Sequence, residues 1–330
     1  MKKLIYILLL PVVFLFDSCS SDKCDPAPNV SDISMDIQIE RLDQQLFSLK
    51  SKSEIKDFLD SHEGLKQGFF QVDQYPHDSV LVNSIYRIIN DPHIDTLYQE
   101  TQLEFQDLSD LETEFEQAFR YIKHYYPQFE PPKIQTVVSG LASDLLVTDS
   151  LIVIGLDYFI GSQATFTPVH LPNYILKRYQ RPYIVPSIVL LMSGRFNNTN
   201  YKDQTMLAEM VYYGKAHYFA KQMLPCTSDS LLIFYTSEEI RGVEENQNVI
   251  WANFIQNELL FETNHATKEK FLGERPKVYE IGDKCPGRIG RWIGWQIVEK
   301  YADQQDVGLK QLMQSTDAQK IFKESKYKPG

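Results

Sequence analysis

The sequence predicts an α+β fold that is mostly helical and contains a small sheet. Several stretches repeat apolar residues every three or four positions, which is the spacing of an amphipathic helix. Only two short runs are rich in β-branched residues, as buried strands are. The 330 residues are 43% hydrophobic and 12% aromatic. This is enough apolar surface to bury a core, and it excludes a wholly disordered chain.

The charge excludes one class of function. Lys and Arg number 33 against 44 Asp and Glu, so the formal net charge is −11. A dedicated nucleic-acid binder needs a basic surface to neutralise phosphates. We therefore expect no nucleic-acid partner.

The first 18 residues are predicted to be a lipoprotein signal peptide. Lys2 and Lys3 precede an apolar run over residues 4–16, which is shorter than the roughly 20 residues that span a bilayer as a helix. Ser18 and Cys19 then resemble the bacterial lipobox, although Phe16 and Asp17 depart from its usual Leu-Ala. The resemblance implies that Cys19 is lipidated and attaches the chain to a membrane. A plain signal peptide is the alternative.

The remaining chain divides into a tether and a folded part. Residues 19–30 read as a short tether, and residues 31–330 as a single domain or as two lobes sharing one cleft. Three cysteines remain after Cys19, namely Cys24, Cys226 and Cys285. Their odd number allows at most one intrachain disulfide, and they do not form a Cys-x-x-Cys zinc motif.

The elements up to residue 200 are predicted in chain order. Asp157 stands between Gly155 and Gly161 and is expected to cap the following element. Lys177, Arg178 and Arg181 are expected to form a solvated face. Helices are expected over residues 39–49, 53–59, 80–89 and 111–126, and strands over 134–139 and 151–156, with a turn-rich segment over 144–150.

The segment over residues 204–224 is predicted to be an interior helix, because it is apolar on nearly every face. Its carboxylate Glu209 occupies the place of the general base in a His-Glu-x-x-His zinc pentad. The two ligand positions hold Ala208 and Tyr212, so a two-histidine zinc site cannot form there. We expect no metal or cofactor at this pentad.

Two later segments are also predicted to be helical. The first is WANFIQNELLF, at residues 251–261. The second opens at Pro286 and runs to about Tyr301, with Gly287, Gly290 and Gly294 on one face where another backbone can approach closely. A phosphate-binding loop is the alternative, although these glycines do not follow a strand in the G-x-G-x-x-G order.

These motifs together resemble the gliding-motility lipoprotein GldB family of Bacteroidetes. They are the lipobox, IVIGLDYFIG at 152–161, YYGK at 212–215, WANFIQNELLF and the segment at 286–301. That family is similar to predicted zincin-type peptidases. The resemblance implies a degenerate zincin-like domain that has lost its metal ligands. It also implies an envelope lipoprotein needed for gliding and associated with the machinery that moves or secretes surface adhesins.

Two side chains of the interior helix are the candidates for chemistry. Glu209 is either a vestigial base or a buried acid hydrogen-bonded to Tyr212, Tyr213 or an arginine. His217 lies eight residues further on, and Tyr213 stands between them on the same face. It is a weak metal-ligand candidate, with packing as the alternative. His170 and His265 form no cluster, and no catalytic residue is assigned.

Three functions remain open at this stage. The leading hypothesis is a non-enzymatic protein, lipid-anchored to the inner or outer membrane of the cell envelope, that binds an envelope protein partner through its degenerate peptidase scaffold. The alternative is an active hydrolase or peptidase. It would either recruit a metal through Glu209, His217 and Glu245 or Glu258 in an unconventional site, or work without a metal through a carboxylate of raised pKa. The third is a purely structural lipoprotein.

Overall fold

A computed structural model describes residues 28–329 of the chain. The predicted signal peptide, Cys19, Cys24 and most of the predicted tether lie outside the described residues. None of the helices between residues 28 and 329 is long and apolar enough to cross a membrane. Cys226 takes part in a disulfide, whereas Cys285 is a buried free thiol.

The described chain is mostly helical with one small sheet, which confirms the predicted α+β class; the zincin resemblance stays a prediction. Four strands form the sheet, namely β1 Ile39–Glu40, β2 Lys133–Val137, β3 Leu145–Val147 and β4 Leu151–Gly155. Residues 28–329 contain fifteen α-helices: α1 Leu42–Ser48, α2 Lys52–Ser61, α3 Asp78–Ile89, α4 Pro92–Glu104, α5 Ser109–Tyr125, α6 Asn173–Leu176, α7 Ile184–Met192, α8 Met206–Met223, α9 Asp229–Ile233, α10 Ser237–Glu245, α11 Gln247–Gln256, α12 His265–Leu272, α13 Ile289–Gln305, α14 Leu309–Gln314 and α15 Ala318–Ser325.

The sheet is covered on both faces. Its order is β1-β2-β4-β3, in which β1, β2 and β4 run parallel and β3 pairs antiparallel with β4. Ile152 and Ile154 belong to the larger core, whereas Val153 between them belongs to a smaller core with α1, α2 and α3. Successive residues of a strand point to opposite faces. A run of consecutive apolar residues is therefore what this buried strand requires. Whether these two cores correspond to the two lobes of one domain stays a prediction.

Three sequence expectations for these elements are wrong in detail, and one helix was not predicted. Ile39 pairs with Ile134 as a strand, so the first helix begins only at Leu42. The segment expected to be turn-rich contains β3. The helix expected over 251–261 ends at Gln256, because Glu258 adopts a left-handed backbone at φ 52°. Helix α4 was not predicted, although Asp91 caps its first turn.

Helices α8 and α13 cross with their backbones almost in contact. A Cβ atom added to Gly294 would lie 1.9 Å from the carbonyl oxygen of Met210, and one added to Gly214 would lie 2.3 Å from that of Gly294. Only glycine fits at both positions, because neither backbone can yield to a side chain. The close approach predicted at Gly294 is therefore confirmed and fixes α8 against α13, whereas Gly290 faces Leu272 of α12 and Gly287 lies before α13, which begins at Ile289 and not at Pro286.

Asp157 closes the turn that follows β2 instead of capping the next element. Its Oδ2 accepts hydrogen bonds from the backbone N–H of Leu141 at 2.6 Å and from that of Ser139 at 3.1 Å. Its Oδ1 has no partner among the described residues. Burial raises the pKa of Asp157 to about 6, although these hydrogen bonds act in the opposite direction.

This carboxyl group predicts a pH dependence of folding stability. A folded-state pKa above the unfolded value means that the folded chain binds the extra proton between about pH 4 and pH 6. The free energy of unfolding therefore falls as pH rises through that window, by about 3 kcal/mol from this group. Asp157→Asn should remove that slope in urea unfolding measured between pH 4 and pH 7. If the free energy of unfolding varied with pH in the same way in both proteins, Asp157 would not be the source of the slope.

Candidate functional site

The candidate site is a cavity of about 560 Å³ beside α8. Helix α8 presents Tyr213, Ala216 and His217 to it, and α7 presents Leu190 on the facing wall. Residues three and four positions apart share one side of a helix, so the α8 wall is continuous. The exposed Leu191 of α7 also lines the cavity, and this places the cavity mouth at the surface.

Three arginines from separate segments meet at the cavity. They are Arg178 after α6, Arg288 immediately before α13 and Arg291 in its first turn. Arg288 is 1% exposed and stacks over Phe234, with 5.3 Å between the guanidinium carbon and the ring centroid. Burial lowers the pKa of Arg288 to about 10, so this side chain is still charged at neutral pH.

Glu274 faces two of these arginines. Its Oε2 lies 2.7 Å from Nη1 of Arg178, and its Oε1 lies 3.4 Å from Nε of Arg288. Burial would raise the pKa of Glu274, but the charges of Arg288 and Arg178 outweigh it and hold this pKa below its ordinary value. Glu274 thus pairs with two of the three guanidinium groups at the cavity.

His217 lies on the cavity wall as a buried, neutral ring. It stacks on Trp295 of α13 with 5.5 Å between ring centroids. Burial, and next the charges of Arg288 and Arg291, lower the pKa of His217 to about 3. The ring hydrogen-bonds to the backbone of Leu232, and its Nδ1 has no partner among the described residues.

Glu209 lies outside the cavity lining, unlike Tyr213 and His217 on the same helix. Its side chain is 39% exposed and forms an ion pair with Lys268 of α12, which also donates to the carbonyl oxygen of Gln204 at 2.8 Å. The expectation that Glu209 bonds to a tyrosine or an arginine is therefore wrong. The partner is 59 residues away in the sequence, which helix spacing cannot reveal.

This ion pair predicts an asymmetry between its two partners. Lys268→Met should lower the free energy of unfolding by about 2 kcal/mol, because it leaves the Gln204 carbonyl and the Glu209 carboxylate without their donor. Glu209→Gln keeps an oxygen acceptor at a partly exposed position and should cost less than about 1 kcal/mol. Urea unfolding of both variants measures the difference. A larger loss for Glu209→Gln would mean that the carboxylate has another role.

The remaining metal-ligand candidates do not meet. Glu209 and His217 are eight residues apart on one helix, which is about 12 Å along its axis. Across the described residues, no group of three or more His, Cys, Asp or Glu side chains is arranged to hold a metal ion. Glu245 and Glu258 thus complete no site with the two α8 residues.

Sequence reasoning missed the arginines and Glu274. The prediction of a solvated face is wrong for Arg178, which contacts Glu274, and for Arg181, which donates from Nε to Asp110 at 2.8 Å. A weak signal existed in the sequence, since Arg288 and Arg291 interrupt an otherwise apolar and glycine-rich segment. Nothing local in the sequence pairs that segment with Arg178 or with Glu274.

Comparison with known families decides the affiliation of the chain. Residues 23–329 match the family model described as gliding motility protein GldB. The chain belongs to the GldB family. GldB membership places it among the gliding motility lipoproteins, which belong to the cell envelope. No curated protein and no solved structure matches the chain.

Proposed function

We propose that this GldB family chain is a non-catalytic component of the cell envelope, anchored by a lipid on Cys19. In this proposal it works with a protein partner in the machinery that moves or secretes surface adhesins, and its cavity beside α8 binds a ligand without transforming it. The scaffold is that of a degenerate zincin-like peptidase. Such a scaffold can still bind a ligand after it has lost its catalytic activity, because binding needs the walls of a cleft but not its catalytic groups.

The position of Glu209 carries the proposal. The carboxylate that would serve as a general base pairs with Lys268 and does not line the cavity. A base must be within hydrogen-bond reach of the proton it takes. Of the two candidates for chemistry on α8, His217 does line the cavity, but its low pKa makes it a weak base at neutral pH.

The alternative is a hydrolase with an unconventional metal site. One observation favours it, namely that His217 lies buried on the cavity wall with a free Nδ1 lone pair. The other proposed ligands do not lie together with His217, and Glu209 forms an ion pair with Lys268 instead. This counts against a metal site. A single imidazole is too few ligands for a catalytic zinc, which takes three from the protein.

Zinc content and hydrolysis distinguish these two functions. The purified mature chain, incubated with one equivalent of Zn²⁺ and dialysed, should retain far less than one zinc per chain. It should also cleave casein no faster than the Glu209→Gln variant does. Stoichiometric zinc that is lost in Glu209→Gln together with peptidase activity would overturn the proposal.

A further inference from the structure

The cavity carries more positive than negative charge. Arg178, Arg288 and Arg291 contribute three positive charges, and Glu274 and Asp144 contribute two negative ones, which leaves 3 − 2 = +1. His217 is neutral at pH 7 because its pKa is about 3. This local excess occurs in a chain whose formal net charge is −11. One monoanion would neutralise the lining.

The arginines also have unused hydrogen-bond donors. Each guanidinium offers five N–H groups, yet few of them find acceptors among the described residues. Arg291 donates from Nε to the carbonyl oxygen of Leu272 at 2.6 Å, and Arg288 donates from Nη2 to that of Phe234 at 3.1 Å. The Nε of Arg288 is buried and makes no hydrogen bond, although it lies 3.4 Å from Oε1 of Glu274 in an ion pair. A buried donor of this kind is costly unless something accepts from it.

The rest of the lining is mostly apolar, with two serines and three tyrosines among it. Leu145, Phe159, Leu171, Ile175 and Leu190 surround the cavity, and Leu191 lies at its mouth with 57% of its surface exposed. A volume of about 560 Å³ and an apolar wall with a few convergent polar groups are the usual features of a small-molecule site. Two of its walls are the helices α7 and α8, whose backbone groups bond within the helix and so offer little to the backbone of an extended peptide.

We propose that this cavity binds a single-chain amphiphile with one anionic head group. The head group lies against Arg291 and Arg288, whose forked donors match a carboxylate or a phosphate. The apolar chain lies between α7 and α8 and leaves past Leu191. The inference rests on the proposed function in one respect, that the cavity holds its ligand without transforming it.

Direct binding of four probes tests this inference. The mature chain is produced with Cys19→Ser, so that no lipid anchor and no detergent compete for the cavity. Calorimetric titration should show decanoate bound at one site per chain, at least about tenfold more tightly than decanol, which lacks the charge, or butyrate, which lacks the long chain. Decyl phosphate distinguishes a phosphate head group from a carboxylate, and tight binding of either supports the proposal.

Variants locate the site. Arg291→Met should weaken decanoate binding at least about tenfold and leave decanol unaffected, whereas Arg291→Lys should lie between it and the unchanged side chain. Arg87→Met, on the distant helix α3, is the matched control and should bind as the wild type does. Ala216→Trp should fill the cavity and abolish binding, with circular dichroism and the melting temperature verifying the fold.

Three results would overturn the inference. They are equal binding of decanol and decanoate, unchanged binding in Arg291→Met, and failure of both anionic amphiphiles to bind. None of these results depends on the zinc and casein measurement, so the ligand and the non-catalytic function can fail separately. Zinc-dependent hydrolysis would remove the proposed function while leaving a measured decanoate site in place.

Discussion

Gly294→Ala is expected to lower the free energy of unfolding by about 3 kcal/mol or more. The added methyl group would lie 1.9 Å from the carbonyl oxygen of Met210, inside the crossing of α8 and α13. Relief requires the two helices to move apart, which separates apolar side chains along the whole contact. Urea unfolding followed by circular dichroism measures the loss.

The matched control is Gly242→Ala. Gly242 also lies inside a helix, α10, but no atom stands within 4 Å of an added Cβ there. Alanine is the better helix former by about 1 kcal/mol at both positions. The control should therefore be as stable as the wild type or more so. If Gly294→Ala were equally stable, the close crossing of α8 and α13 would be wrong.

Glu274→Gln is expected to be the most damaging change in the cavity, at about 2 kcal/mol of unfolding free energy. It removes the carboxylate that faces Arg178 and the buried Arg288, and it leaves three guanidinium groups together. The side chain of Glu274 is 39% exposed, so water screens part of the effect and keeps it below that of a fully buried pair.

The pH dependence of this loss follows from the lowered pKa of Glu274. A carboxyl group with a depressed folded-state pKa stabilises the fold above its ordinary pKa and loses that contribution as pH falls. The difference between wild type and Glu274→Gln should thus be full at pH 7 and shrink below about pH 4.5. Glu280→Gln is the control, because the partners of Glu280 are the more exposed Lys270 and Arg275 and not a buried arginine, so the change should cost less than about 1 kcal/mol. Equal losses of unfolding free energy in the two variants would contradict the pairing of Glu274 with the arginines of the cavity.

The sequence predicted the elements whose signal is local. Residues 151–155 are continuously apolar and mostly β-branched, and they form an inner strand of the sheet that is buried on both faces. The absence of a polar face predicted that α8 is interior, and the spacing of Gly290 and Gly294 predicted a smooth surface on α13. In each case the residues that form the pattern lie within a few positions of one another, so the local sequence is enough to predict their burial.

The site could not be predicted in the same way. Only the fold brings together the three segments that supply Arg178, Glu274 and Arg291. In its own segment, each of these residues has the pattern of a surface charge. Glu209 was identified from its place in the pentad, but its partner Lys268 belongs to another helix. Helical periodicity shows which face a residue shares and says nothing about what packs against that face.

Gliding of cells that carry variant chains tests the central claim, that the cavity acts by binding and not by catalysis. In a gliding bacterium whose own GldB gene is replaced by this one, cells with the Glu209→Gln variant should spread on agar as fast as cells with the unaltered chain. Cells with Ala216→Trp, in which the protein is made and lipidated to the same level, should spread like cells that lack the gene. Loss of spreading in Glu209→Gln, or normal spreading in Ala216→Trp, would contradict the claim.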